Sequence, residues 1–163
     1  MDFVPENSAA AKLLVYERAG RWAVALRRDL AASGVRVWET RSLADCRQEL
    51  LENPASFVVV ELEKDIGGVL RFLALQQRRF PAARLAVAAD RSLAECEAAL
   101  REAGAVHFLC SPRGTAVLAR LACRHLAEIP VPPQTLTDRI WASLPWGERR
   151  TTSRPSSSPL ERH

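Results

Sequence analysis

The pattern of apolar and polar positions alternates between short apolar runs and longer stretches with helical spacing. The strongest apolar run is residues 57–60, in which three of the four residues are β-branched. This composition is typical of a strand buried on both faces of a parallel sheet. The run ends on Glu61 and is followed by a Gly67-Gly68 pair and a helical pattern. Because the carboxyl ends of central strands carry the chemistry in open α/β sheets, Glu61 is the first candidate for a functional residue.

Five strand-like runs alternate with five segments of helical periodicity. In the first helix, Trp22, Leu26 and Leu30 recur at i, i+4 and i+8, which favours a packing role for Trp22 over a ligand-binding one. The alternation predicts an α/β fold, a three-layer sandwich with a parallel five-stranded sheet between helices. The predicted strands are residues 12–16, 35–39, 57–62, 84–89 and 106–110. The predicted helices are residues 21–32, 43–52, 68–79, 92–103 and 114–127.

Two nearly identical hexapeptides occur on this framework, RSLADC at 41–46 and RSLAEC at 91–96. Ser42 has the character of a helix N-cap. Ser92, with Glu95 three residues later, forms a capping box that predicts the start of the fourth helix. The repetition favours either a duplicated strand–helix unit or a chance match of two amphipathic helices.

The amino-acid composition changes after the last predicted helix. A proline-rich linker at 130–133 leads to a short amphipathic segment at 136–146 that contains Trp141 and Trp146. This segment is expected either to fold back on the domain as a latch or to dock into a partner's groove. Arg, Ser, Thr and Pro dominate the end of the chain, which is expected to be mostly disordered. The predicted divisions are a lead-in at 1–11, a domain at 12–127 and a tail at 128–163.

Composition excludes few functions. Of 163 residues 48% are hydrophobic, enough for a core, and the formal net charge is +4. Only Lys12 and Lys64 among the 23 basic residues are lysines, and the charge is spread over helices instead of clustered, so nucleic-acid binding is not expected. The N-terminus has no signal-peptide pattern, and no apolar run approaches the ~18–20 residues of a membrane span, which predicts a cytoplasmic protein.

The four cysteines have no metal-binding or redox spacing. Their predicted role is that of small buried hydrophobic residues in a reducing cytosol. They are Cys46, Cys96, Cys110 and Cys123.

The phrase AGAVHFLCSP at 103–112, together with the strand–helix alternation and the acid at the end of the third strand, resembles response-regulator receiver domains. The resemblance covers residues 12–127. It implies a flavodoxin-like (βα)5 fold with strand order 2-1-3-4-5.

The resemblance also implies a phosphorylation site in which most residue types have changed. Glu61 stands where the family has the phosphorylated aspartate, and one extra methylene misplaces its carboxylate by about 1 Å, which can cost ~10²-fold in rate. The other positions that the resemblance assigns are Tyr16 and Glu17 for the Mg²⁺-binding acidic pair, Ala89 for the Thr or Ser that senses the phosphoryl group, Phe108 for the switch aromatic and Ser111 for the phosphoryl-binding lysine.

These departures predict a pseudo-receiver, a receiver-like domain that acts in signal transduction by binding proteins without phosphorylation. Glu61 is then either a permanent negative charge or a solvated acid paired with a nearby arginine, and the changes at Ala89 and Ser111 leave no predicted group to receive its charge. No cofactor is expected, and Glu17 and Glu61 are only weak Mg²⁺ candidates.

A protein partner is expected, with no membrane or nucleic-acid partner. In the resembled family the face of the fourth helix, fifth strand and fifth helix often dimerises. Here that face includes Arg101, His107, Arg120 and Arg124, with Trp141 and Trp146 in the tail as further candidates.

Two alternatives remain open. One is a phosphorylation-competent atypical response regulator. The other is a Mg²⁺-dependent nucleotide-binding or hydrolytic domain that uses Glu17 and Glu61, with Glu63 and Asp65 nearby. The chain has no Gly-rich phosphate loop and no nucleophile elbow, so no enzymatic activity is expected.

Overall fold

The fold is built around the strand predicted at 57–62, and the computed structural model describes residues 11–130. All six residues of this strand are buried, as expected for a strand covered on both faces. The strands are β1 Leu13–Tyr16, β2 Val37–Thr40, β3 Phe57–Leu62, β4 Arg84–Ala89 and β5 Ala105–Leu109. The helices are α1 Arg21–Asp29, α2 Leu43–Glu52, α3 Ile66–Arg79, α4 Glu97–Glu102 and α5 Thr115–Glu128.

The five strands form one parallel sheet in the order β2-β1-β3-β4-β5, which confirms the predicted flavodoxin-like topology. The order reverses between β1 and β3, so their carboxyl ends open a crevice, the usual position of a functional site in such sheets. The ladder between β4 and β5 is irregular. Leu85 pairs with Ala105 and Ala86 with His107, which leaves Val106 unpaired at the sheet edge.

Two apolar clusters cover the two faces of the sheet. One packs α2, α3 and α4 against it, and the other packs α1 and α5. Trp22, only 1% exposed, lies in the second cluster, so its predicted packing role is confirmed. The Thr115 hydroxyl at the start of α5 donates to Asp29 at the end of α1 across 2.6 Å, which helps to fix the position of α1. The site described below depends on that position.

The start of α3 and the end of α1 differ from the sequence prediction. α3 begins at Ile66 and not at residue 68, because the Asp65 carboxylate accepts the Gly68 backbone N–H at 2.8 Å and caps the helix earlier. α1 ends at Asp29 and not at residue 32, and the chain then turns through Gly34, whose φ of +73° suits a residue without a Cβ.

The two similar hexapeptides fold differently. Ser42 caps α2 as predicted, and its hydroxyl accepts the Asp45 N–H at 3.0 Å. The capping box predicted at Ser92 is wrong, because Ser92 lies inside a 3₁₀ helix, Arg91–Cys96, and regular α-helix begins only at α4. The 3₁₀ helix starts from Asp90, whose carbonyl accepts the Leu93 N–H at 2.9 Å.

The cysteines match their predicted role in part. Cys46 is fully buried, and burial raises the pKa of its thiol to about 12, so it stays neutral. The other three, Cys96, Cys110 and Cys123, are half-buried, and all four thiols are free.

Several predictions concern residues that the structure does not describe. The lead-in before residue 11 and the segment at 136–146, with Trp141 and Trp146, lie outside the described residues. Within residues 11–130, none of the helices has the length and apolar character needed to cross a membrane.

Candidate functional site

Two carboxylates meet the N-terminus of α1 at the carboxyl ends of β1 and β3. The first is Glu17, which follows β1 and is fully buried. Its Oε2 accepts the Trp22 N–H at 2.8 Å and its Oε1 accepts the Ala23 N–H at 2.7 Å. The N-cap residue, Gly20, has no side chain to offer, so Glu17 caps the helix from a distance. A negative charge at this end of a helix is also favoured by the helix dipole.

The second carboxylate is Glu61, near the end of β3 and only 3% exposed. Its Oε2 accepts the backbone N–H of Arg18 at 2.9 Å, and its Oε1 accepts the indole N–H of Trp22 at 3.1 Å. An Arg21 Nη2 lies 3.4 Å from Oε1. The prediction that no group receives the charge of Glu61 is therefore wrong, and so is the alternative of a solvated acid. The predicted pairing with a nearby arginine is confirmed, because that arginine is Arg21.

Arg21 joins this site to the end of β4. While Nη2 faces Glu61, Nη1 lies 3.0 Å from Asp90 Oδ1, directly after β4. The hydrogen bond to Asp90, more than the charge of Glu61, raises the pKa of Arg21 above its usual value, so the guanidinium remains charged. It also lies over the Trp22 ring, 5.0 Å from the centroid. Sequence reasoning missed Arg21, although a residue that opens the helix after β1 was a candidate to face the strand ends.

A second arginine that sequence reasoning missed, Arg41, holds the connection between β1 and α1. Its Nη1 donates to the backbone carbonyls of Glu17 and Arg18, at 3.2 and 3.3 Å, and its Nη2 donates to Glu39 at 2.8 Å. The turn that presents the donors to Glu61 is thus fixed from the β2 side as well. Arg41 comes directly after β2, and this position in the sequence could have indicated a role at the carboxyl ends of the strands.

The remaining positions assigned by the resemblance lie around this network. Tyr16 is half-buried and lines a cleft of about 150 Å³ together with Arg18, Glu61 and Glu63. Ala89 is fully buried at the end of β4.

Two further positions lie at the end of β5. Phe108 is buried in the core. The Ser111 hydroxyl accepts the Arg113 N–H at 3.3 Å and caps a short 3₁₀ helix, Pro112–Gly114. Ser111 therefore has a local structural role.

The two acids of this site are already bound by groups of the chain. Both oxygens of Glu17 and both oxygens of Glu61 already accept hydrogen bonds from α1 or from the turn before it. A cation at either carboxylate would have to share these oxygens with the N–H donors that they already accept. Among residues 11–130, no three His, Cys, Asp or Glu side chains are grouped to hold a metal ion.

The four arginine and histidine residues of the predicted partner face do not all lie together. Arg101 pairs with Glu97 at 2.8 Å within α4, and its Nη1 approaches the Val106 carbonyl at 3.4 Å. Burial, followed by the charge of Arg101, lowers the pKa of His107, so the imidazole favours its neutral form. Arg101 and His107 are therefore neighbours, beside an exposed Val106.

The two arginines of α5 line different grooves. Arg124, which approaches Glu128 at 4.0 Å, lines a groove of about 260 Å³ that includes Val106 of β5. Arg120 instead lines a groove with Asp29, at the end of α1. The structure thus places Arg124 beside β5 and Arg120 beside α1.

Comparison with protein-family models and with curated proteins gave no match. Comparison with solved structures gave clear likenesses. A response regulator from Thermotoga maritima superposes with a TM-score of 0.60 at 17% identity, covering 74% of this chain and 100% of that one. HP1043, an orphan response regulator of H. pylori, gives a TM-score of 0.59 at 21% identity, with 75% and 99% covered.

A third structure, described as an atypical orphan response regulator with a phosphorylation-independent regulatory mechanism, gives a TM-score of 0.60 at 20% identity. The match covers 72% of this chain and 97% of that one. The resemblance read from the sequence is thus confirmed at the level of fold: the chain has the fold of response regulator receiver domains.

Replacing Glu61 by glutamine tests the buried network. The amide keeps the shape but turns one acceptor into a donor, which then faces either the Trp22 indole N–H or the Arg18 backbone N–H. We expect Glu61→Gln to lower the free energy of unfolding by about 2 kcal/mol, as for a buried donor that loses a charged acceptor, measured by urea denaturation.

Glu63→Gln is the matched control, because Glu63 is exposed and its ion pair with Arg18 Nη1 is long, at 3.9 Å. This change should stay within about 0.5 kcal/mol of the wild-type protein. Equal effects of the two changes would show that the Glu61 network does not stabilise the fold.

Proposed function

We propose that the chain is a pseudo-receiver, a non-catalytic signalling domain that works by protein–protein interaction and does not accept a phosphoryl group. One observation carries this proposal. Glu61, at the position equivalent to the phosphorylated aspartate, is buried and has both carboxylate oxygens bound to donors from α1 and the preceding turn. Attack on a phosphoryl donor would require this carboxylate to turn away from the Arg18 and Trp22 N–H donors and from Arg21, which costs the stabilisation that these contacts give.

The charges around Glu61 support the same proposal. Phosphoryl transfer depends on cations that neutralise charge on the transferred group. Here the nearby guanidinium, Arg21, is already paired with Glu61 and Asp90, and Glu17 is committed to capping α1. Ser111 and Ala89 bring neither a cation nor a hydroxyl free to follow a phosphoryl group.

The comparisons are consistent with this function. One structure of the same fold is described as regulating without phosphorylation, and another as an orphan response regulator. A domain of this kind presents a fixed surface to its partner. The surface that we propose is the neighbourhood of Arg101, Val106 and Arg124, where an exposed apolar residue at the irregular edge of the sheet lies near two arginines. Arginine and exposed apolar groups are both favoured at protein interfaces.

Phosphoryl acceptance is tested by incubating the protein with acetyl phosphate and Mg²⁺ and measuring the intact mass. We expect no phosphorylated species in the wild-type protein. We also expect none in Glu61→Asp, because restoring the aspartate leaves Arg21, Glu17 and Ser111 unchanged. Stoichiometric labelling at Glu61 would overturn the proposal.

The interaction surface is tested by sedimentation velocity. We expect the wild-type protein to self-associate through this face, and Arg101→Glu combined with Arg124→Glu to weaken that association because it removes the planar, multidentate donors that suit an interface. Arg120→Glu is the control for the change of charge on α5, since Arg120 lines the groove beside α1. A monomeric wild-type protein, or equal effects of the two charge reversals, would refute a dimer through this face.

A further inference from the structure

We propose that Arg21 is a built-in clamp that fixes the connection between β4 and α4 in a single conformation. The contacts of the clamp are independent of the proposed function. Only the role of the clamp in signalling rests on that proposal. Arg21 opens α1, yet its guanidinium reaches two other elements of the sheet. It contacts Glu61 on β3 with Nη2 and Asp90 beyond β4 with Nη1.

The two ends of the clamp differ in rigidity. The Glu61 end is buried and is also held by the Arg18 backbone N–H and the Trp22 indole. The Asp90 side chain is 62% exposed, and among the described residues its carboxylate takes part in no other hydrogen bond or ion pair. An anchored guanidinium therefore holds the exposed start of a segment whose Leu93 and Cys96 pack against the core. The planar guanidinium suits this task, because Nη1 and Nη2 bind two carboxylates at once, whereas a lysine ammonium is a single point charge.

The two similar hexapeptides provide an internal comparison. At 41–46 the sequence opens a regular α-helix, capped by Ser42. At 91–96 nearly the same sequence forms a six-residue 3₁₀ helix, longer than the three or four residues usual for this form. The residue before the hexapeptide is Thr40 in the first case and Asp90 in the second.

The Asp90 carboxylate makes no cap hydrogen bond to the helix and instead binds Arg21. An aspartate directly before a helix is ordinarily a strong N-cap. With this carboxylate bound to Arg21, the 3₁₀ helix begins without a side-chain cap. The same pair contributes most to the raised pKa of Arg21.

The clamp has a consequence for the surface of the domain. The connection that it holds leads into α4, which carries Arg101. The Arg21–Asp90 pair therefore links the position of this surface to the buried Glu61 site through contacts within the chain.

Hydrogen–deuterium exchange of the full chain, read by mass spectrometry, tests the clamp. Arg21→Met should speed amide exchange at residues 90–96 by about fivefold, the factor expected for losing one partly exposed ion pair. Asp90→Ala removes only the exposed contact and should give the same local change without disturbing the buried end. Arg21→Lys should give an intermediate effect. Arg18→Met is the matched control, because it removes an exposed arginine while keeping the backbone N–H that binds Glu61.

Faster exchange confined to residues 90–96 in Arg21→Met and Asp90→Ala, with Arg18→Met unchanged, supports the clamp. Unchanged exchange at 90–96 in Asp90→Ala, or an equal increase in α2 and at 90–96, would overturn it. Failure of the clamp leaves the pseudo-receiver proposal standing, because that proposal depends on acetyl phosphate labelling of the wild-type protein.

Discussion

The burial of the Glu61 carboxylate against the first turn of α1 is the interaction on which the rest of this site depends. A buried charge is costly unless it is paired and hydrogen-bonded. Here the required donors are the backbone N–H of Arg18, the indole of Trp22 and the guanidinium of Arg21. All three belong to α1 or to the turn before it. A change in the position of that helix would therefore change the hydrogen bonds and the ion pair of the Glu61 carboxylate.

The surrounding contacts serve the same arrangement. Glu17 satisfies the first N–H groups of α1, and Arg41 binds the carbonyls of the turn that leads to it. Thr115 contacts Asp29 at the other end of the helix. The sheet topology brings these groups to the crevice where domains of this fold have their site. There the side chains bind one another and the nearby backbone. The charge of Glu61 is balanced by a cation of the chain itself, the Arg21 guanidinium.

Much of the fold could be predicted from sequence because β-branched runs and helical periodicity are local signals. The buried β3, the strand order and the place of Glu61 followed from them and from the resemblance. The partners of Glu61 could not be predicted, because spacing along the chain does not say which of many arginines meets a given carboxylate. The capping box at Ser92 also failed, because a short motif does not show where the preceding chain, here Asp90 with its distant partner Arg21, places the start of a helix.

The most direct test of the account is the indole N–H signal of Trp22 in a ¹H–¹⁵N NMR spectrum, assigned with Trp22→Phe. With its N–H bound to a buried carboxylate, the signal should exchange slowly with water, unlike that of the exposed Trp38. It should also keep its position when Mg²⁺ and beryllofluoride, a phosphoryl mimic, are added. A saturable shift of the Trp22 signal with these additions would show that the site still opens to a phosphoryl group, and would contradict the account.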